Sequence, residues 1–122
     1  MEVTTLVIYD VEDDWARTRV SEACKDFGLE RIQYSCFCGR LSRNMREELL
    51  ERMRRIQRSW EVRWRKTFPD ARVEMADSPN APDDGSAGWR AAFKILIQPV
   101  CEKDIGSATY AHLYVNTGSN RT

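Results

Sequence analysis

Leu6-Val7-Ile8-Tyr9-Asp10-Val11-Glu12-Asp13-Asp14 is the stretch from which the rest of the chain is read. Four apolar or aromatic residues in a row, two of them β-branched, predict a short buried strand rather than a surface helix. Asp10 stands where that strand leaves the core, three more acids follow, and the next segment carries Arg17 and Arg19. A carboxylate at the mouth of a strand with arginines nearby points to phosphate and metal chemistry. Helix capping accounts for Glu12, Asp13 and Asp14. It accounts least well for Asp10, which remains the candidate.

A chain of 122 residues predicts one domain with one core. No apolar run approaches the roughly 20 residues of a membrane span, and no signal peptide precedes the first strand, so a soluble cytoplasmic protein with no membrane partner is expected. Cys24, Cys36, Cys38 and Cys101 are then expected to be reduced thiols rather than a disulfide framework. The net charge of zero hides an asymmetry. Met1 to Gly39 carries 4 basic and 8 acidic residues, whereas Arg40 to Lys66 carries 10 and 4, nine of the ten bases being arginine. Such a stripe suits a polyanion, and it equally suits a solvated helix laced with local ion pairs.

Outward from the first strand, Trp15, Val20, Ala23, Cys24 and Phe27 recur at helical spacing and Gly28 supplies a left-handed stop, which predicts a helix of about four turns. Arg17 and Arg19 fall about 200° apart on it and cannot share a face. Arg31 to Leu41 alternates as a strand, bent or folded into a tight hairpin. Cys36 and Cys38 share one side of it. That pair could suit a soft metal, but with no second pair and one distant histidine, buried thiols are the better account. Ser42 or Asn44 can cap a second helix, in which Met45, Leu49, Met53, Ile56, Trp60 and Trp64 form an apolar seam destined for the core or a subunit interface.

Pro69 to Gly88 is rich in proline, glycine and acids, and reads as a mobile insertion in which Arg72 to Met75 could add a strand. Phe93 to Cys101 carries the strongest strand signal; apolar residues on both of its faces predict a central position, and Pro99 marks its end or an edge. Ala111 to Val115 reads as a short terminal strand containing the structural His112, the sole histidine, and a flexible tail begins at about residue 117. The order predicts an α+β, ferredoxin-like sandwich: one domain over residues 1–122, interrupted by an acidic insertion at about 69–90, with two helices on one face of a four- to five-stranded, mainly antiparallel sheet.

At this point the chain resembles the second core family of CRISPR-associated proteins, the small subunit that works beside the CRISPR integrase in spacer acquisition. Tyr9-Asp10-Val11 followed by Asp14, Arg17, Arg19 and Val20 looks like that family's first strand and helix start. Gly28 to Phe37 is similar to its second signature, with Gln33-x-Ser35-x-Phe37 at its centre, and Phe93 to Cys101 resembles its closing strand. Cys38 stands where the family often has an acid, and the acidic insertion lengthens the connection after the second helix.

The resemblance implies a symmetric homodimer in which each terminal strand extends the partner's sheet. It implies that Asp10 from both protomers meets near the axis and shares one divalent cation, Mg2+ above all, as ligand and catalytic group. Arg17, Arg19 and Arg31 are then the nucleic-acid-binding positions, and Tyr9, Ser35 and Phe37 support them, the two aromatic residues by packing. Two functions fit within it, in a prokaryotic cytoplasm. One is a spacer-acquisition subunit that binds double-stranded DNA, bridges the CRISPR integrase and leaves metal-dependent phosphodiester cleavage, of DNA or single-stranded RNA, to experiment. The other is a toxin-like ferredoxin-fold endoribonuclease acting on single-stranded RNA.

Overall fold

The computed structural model describes residues 1–73 and 91–101, and beyond them residues 103, 106–109, 111, 113–115 and 118. The described elements are β1 (Glu2–Val11), α1 (Asp14–Asp26), β2 (Glu30–Gln33), β3 (Cys36–Ser42), α2 (Arg43–Thr67) and β4 (Phe93–Pro99). The strands form one antiparallel sheet in the order β2-β3-β1-β4. Each βαβ unit thus leaves a gap that a strand of the other unit fills, which is the ferredoxin-like arrangement the sequence predicts.

β1 begins earlier than the apolar run suggests and spans ten residues. Its period of two buries Thr5, Val7, Tyr9 and Val11 under the helices and turns Ile8 and Asp10 outward. Asp13 then caps α1, its Oδ2 accepting from the Ala16 N–H at 2.8 Å, as expected for the acids that follow Asp10. α1 buries Ala16, Val20, Ala23 and Cys24, and ends where Gly28 adopts φ +78°, a conformation that side-chain-bearing residues rarely take. Gly39 of β3 answers a different need. A Cβ there would stand 2.7 Å from Leu29 Cδ2, so the link from α1 to β2 packs directly on its backbone.

Ser42 is the cap of α2, its Oγ accepting from the Met45 N–H at 3.2 Å. At 25 residues the helix is about 37 Å long. Its seam follows the expected spacing but loosens along its length: Leu49 and Met53 are buried, Ile56 and Trp60 half-buried, and Trp60, Trp64 and Phe68 continue as a row of rings with centroids 5.8 and 5.0 Å apart. Val7, Tyr9, Val11, Phe37 and Leu41 of the sheet close the core against Val20, Cys24, Leu49 and Met53 of the helices.

Arg31 to Leu41 takes the hairpin form of the expected strand, β2 and β3 turning at Tyr34 and Ser35. Four expectations change. β4 lies at an edge of the described sheet and β1 in its centre. Apolar residues on both faces of β4 misled because the helices cover only one face: Phe93, Ile95 and Ile97 point to the core, while Leu96 is 50% exposed. Cys36 and Cys38 are only half-buried, on the face away from Phe37; the thiol that is fully buried is Cys24. Ala111, Leu113, Tyr114 and Val115 are not in a strand, since no described strand pairs with them. Arg72 and Val73 are likewise outside strands. Met75, most of the acidic insertion, His112 and most of the tail lie outside the described residues.

Phe37 is fully buried at the middle of the sheet and Val62 is exposed on α2. Phe37→Ala should therefore cost about 3–5 kcal/mol, whereas Val62→Ala should stay within about 0.5 kcal/mol. Urea unfolding of the two variants checks the contrast.

Candidate nucleic-acid interface and metal site

Asp10 is the last but one residue of β1, exposed on the sheet face that the helices leave open. Antiparallel register sets it opposite Lys94 and sets Ile8 between Cys36 and Leu96. The open face therefore carries an apolar strip, Leu6, Ile8 and Leu96, with a carboxylate at one end. Ile8 and Leu96 are 43% and 50% exposed.

On the other side of the same strand, the candidate supporting residues converge. Tyr9 is buried and its ring stacks on Phe37 at 6.2 Å. Its N–H donates to the Ser35 carbonyl at 3.0 Å and its hydroxyl to the Tyr34 carbonyl at 3.5 Å. Burial pushes the Tyr9 phenol up, and the neighbouring Arg31 guanidinium pulls it down in part. Arg31 itself turns inward from β2. It donates to Ser21 Oγ of α1 at 2.8 Å and to the Tyr34 carbonyl, and lies 4.9 Å from the centre of the Phe37 ring. Tyr9, Arg31, Ser35 and Phe37 thus fasten the hairpin turn to the end of β1, one residue from Asp10.

The three candidate arginines do not form one surface. Arg17 donates to the Val11 carbonyl at 3.0 Å and the Glu12 carbonyl at 3.5 Å, and pairs with Asp14, which closes the β1 to α1 connection. Arg19, about 200° away around α1, pairs with Glu22 at 3.5 Å and stands 5.4 Å from the Trp15 ring, which Arg63 of α2 approaches to 4.4 Å. On α2, Arg43, Arg58 and Arg65 pair with Glu47, Glu51 and Glu61, and Arg52 reaches Asp26 of α1 at 2.6 Å. Arg43, Arg52, Arg58 and Arg65 therefore sit in local ion pairs, each worth about 0–1 kcal/mol, within a segment that keeps its excess of basic residues.

Sequence reasoning missed Ser21, the buried hydroxyl that holds Arg31, and Tyr34, whose carbonyl receives both Arg31 and Tyr9. Both contacts depend on how the hairpin lies against α1 and the end of β1, which no local pattern in the sequence shows. For a cation, the donors offered are the Asp10 carboxylate and water. No cluster of three or more His, Cys, Asp or Glu side chains exists among the described residues. The described residues therefore supply no full donor set, but a hard, oxygen-seeking ion such as Mg2+ keeps several waters and takes only one or two carboxylates. The oxygen chemistry of Asp10 fits that ion.

The model of the family described as CRISPR associated protein Cas2 matches residues 1–66, which run from β1 through α2 and include every residue just placed except Lys94 and Leu96. The chain belongs to the Cas2 family. A CRISPR-associated endoribonuclease Cas2 of Desulforudis audaxviator is 38% identical over 101 residues, 83% of this chain and 66% of that protein. A CRISPR-associated endoribonuclease Cas2 2 of Chloroflexus aurantiacus is 55% identical over 53 residues, 43% of this chain and 62% of that protein. A Thermoproteus tenax protein named as a fusion of CRISPR-associated endonuclease Cas1 and endonuclease Cas2 is 34% identical over 58 residues, 48% of this chain and 22% of the fusion. The chain thus spans about two thirds or less of the length of the Cas2 relatives it matches. No helix of the described residues is long and apolar enough to cross a membrane.

The buried thiol beneath Arg31 gives a pH test of this packing. Burial pushes Cys24 from 9.0 up to about 12, so the unfolded chain ionises it first. Its contribution to stability is complete below about pH 9 and is lost as pH rises from there towards 12. Cys24→Ala should flatten the fall in thermal midpoint across that alkaline range, while Cys101→Ala, at an exposed site, should leave it unchanged.

Proposed function

We propose that two copies of this chain associate through the open sheet face, bind nucleic acid and bridge the CRISPR integrase, with phosphodiester cleavage at the paired Asp10 carboxylates. The observation that carries the reading is the position of Asp10 on an uncovered apolar face, at the end of the central strand. Exposed Ile8 and Leu96 call for a covering surface, and a two-fold axis through that face would set each carboxylate against its symmetry mate. Leu113, Tyr114 and Val115, at 90%, 84% and 77% exposure, are a second apolar run that a partner's sheet edge would bury. The names of the Cas2 relatives support a nuclease, and the fused relative supports an integrase-type partner.

Two unscreened carboxylates brought together repel, and a shared cation relieves that repulsion. Asp10 of each protomer would hold Mg2+, which when bound polarises a phosphodiester and acidifies a water. The chain's own residues do the rest. Tyr9, Arg31, Ser35 and Phe37 fix the turn beside Asp10, and Arg17 fixes the turn after it. Arg19 and the outer arginines of α2 exchange carboxylate partners for phosphates. Such contacts follow the sugar–phosphate backbone and do not read bases.

Asp10→Ala should abolish Mg2+-dependent cleavage of labelled single-stranded RNA or duplex DNA, a fall of about two orders of magnitude or more, while affinity for the same probes stays within about twofold of wild type. Cleavage that survives in the variant removes Asp10 from the chemistry. If neither protein cuts and both bind duplex DNA, the bridging role stands without catalysis. A wild-type protein that sediments as a monomer and binds neither probe overturns the whole reading.

A further inference from the structure

Tyr34 occupies the turn between β2 and β3, where small and polar residues are usual. Its backbone has a structural task and its ring does not. The carbonyl of Tyr34 accepts from Arg31 and from the Tyr9 hydroxyl, and the next carbonyl, that of Ser35, accepts from the Tyr9 N–H. These bonds hold the turn against the end of β1, yet the residue is 72% exposed and adds nothing to the core. The Arg31 guanidinium, itself fixed by Ser21, lies over the ring at 5.9 Å from its centre. A cation over an aromatic ring steadies it without covering it. The result is a solvent-facing ring on a turn that is bonded to the end of β1.

We infer that Tyr34 is a stacking platform for an unpaired base of a single-stranded nucleic acid passing the Asp10 end of the sheet. The inference rests on the nucleic-acid reading above and adds to it a residue and a strand preference. An unpaired base offers a bare π-face to the phenol ring, whereas the bases of a duplex are already stacked on one another. Sequence is not read by such a contact, because every base has a π-face. Stacking at Tyr34 thus complements phosphate contacts elsewhere on the chain.

The test compares Tyr34→Ala, Tyr34→Phe and wild type, binding a labelled mixed-sequence single-stranded RNA and a labelled DNA duplex by fluorescence anisotropy, with sedimentation of each protein alongside. Loss of an exposed ring should leave folding intact, which the thermal midpoint reports. Tyr34→Ala should bind the single strand about tenfold more weakly, Tyr34→Phe should match wild type, and duplex affinity and oligomeric state should not change. Equal single-strand affinity in all three proteins overturns the inference while the nucleic-acid reading survives. An equal loss on duplex overturns it as well, because the ring would then serve both forms. A shift in oligomeric state overturns it by making Tyr34 a contact between copies. Failure of wild type to bind either probe would instead remove the nucleic-acid reading on which the inference rests.

Discussion

The alternation of β1 is the constraint on which the other features depend. β1 pairs along both edges, with β3 and with β4, and helices cover one of its faces. Successive residues therefore belong to different worlds: Tyr9 lies in the core and Asp10 in solvent. A slip of one residue would bury the carboxylate beneath α1 and α2 and turn the phenol outward, a change that the two flanking registers forbid together. The exposure of Asp10 is thus fixed by the burial of Val7, Tyr9 and Val11 and needs no local device of its own.

Electrostatics divides along the same line. Arginines that point towards the core side of the hairpin and the first turn are structural in their present partners: Arg31 holds Tyr34 and Ser21, and Arg17 holds carbonyls at the end of β1. Those on the outer surfaces sit among carboxylates, Arg19 with Glu22 and Arg43, Arg58 and Arg65 with glutamates of α2. Exchange of an exposed carboxylate for a phosphate changes the energy little in either direction. Affinity for a polyanion would then come from many such exchanges and from released counterions, and would fall steeply with salt. Phe37 and Trp15 hold neighbouring guanidiniums in place by their rings, at Arg31 and at Arg19 and Arg63.

Much of this was legible in the residues. The Leu6 to Tyr9 run, the Asp13 cap, the stop at Gly28, the Ser42 cap and the seam of α2 all rest on short-range rules, and short-range geometry obeys them. The misreadings are long-range. β4 looks central because a sequence cannot tell an apolar face that meets helices from one awaiting another surface. Cys36 and Cys38 looked buried for the same reason. The resemblance makes Arg31 a nucleic-acid-binding position, and only the structure shows its inward partner, Ser21, ten residues away on another element. The candidate site was legible as a set of residue types, and the division of that set into an acid outside and a clamp inside appears only with the sheet.

That division governs how substitutions near Asp10 are interpreted. Tyr9, Arg31 and Phe37 form one network with the buried Cys24 nearby, so removing any member disturbs the turn at Tyr34 and Ser35 together with the end of β1. A loss of activity in Arg31→Ala would follow equally from a missing phosphate ligand and from a displaced turn. Arg31→Lys keeps the charge but not the fork that reaches Ser21 and Tyr34 at once. A phosphate ligand tolerates that exchange better than a clamp does, because a point charge still attracts phosphate whereas two fixed acceptors need two aligned donors. The geometry around Arg31 is that of the clamp.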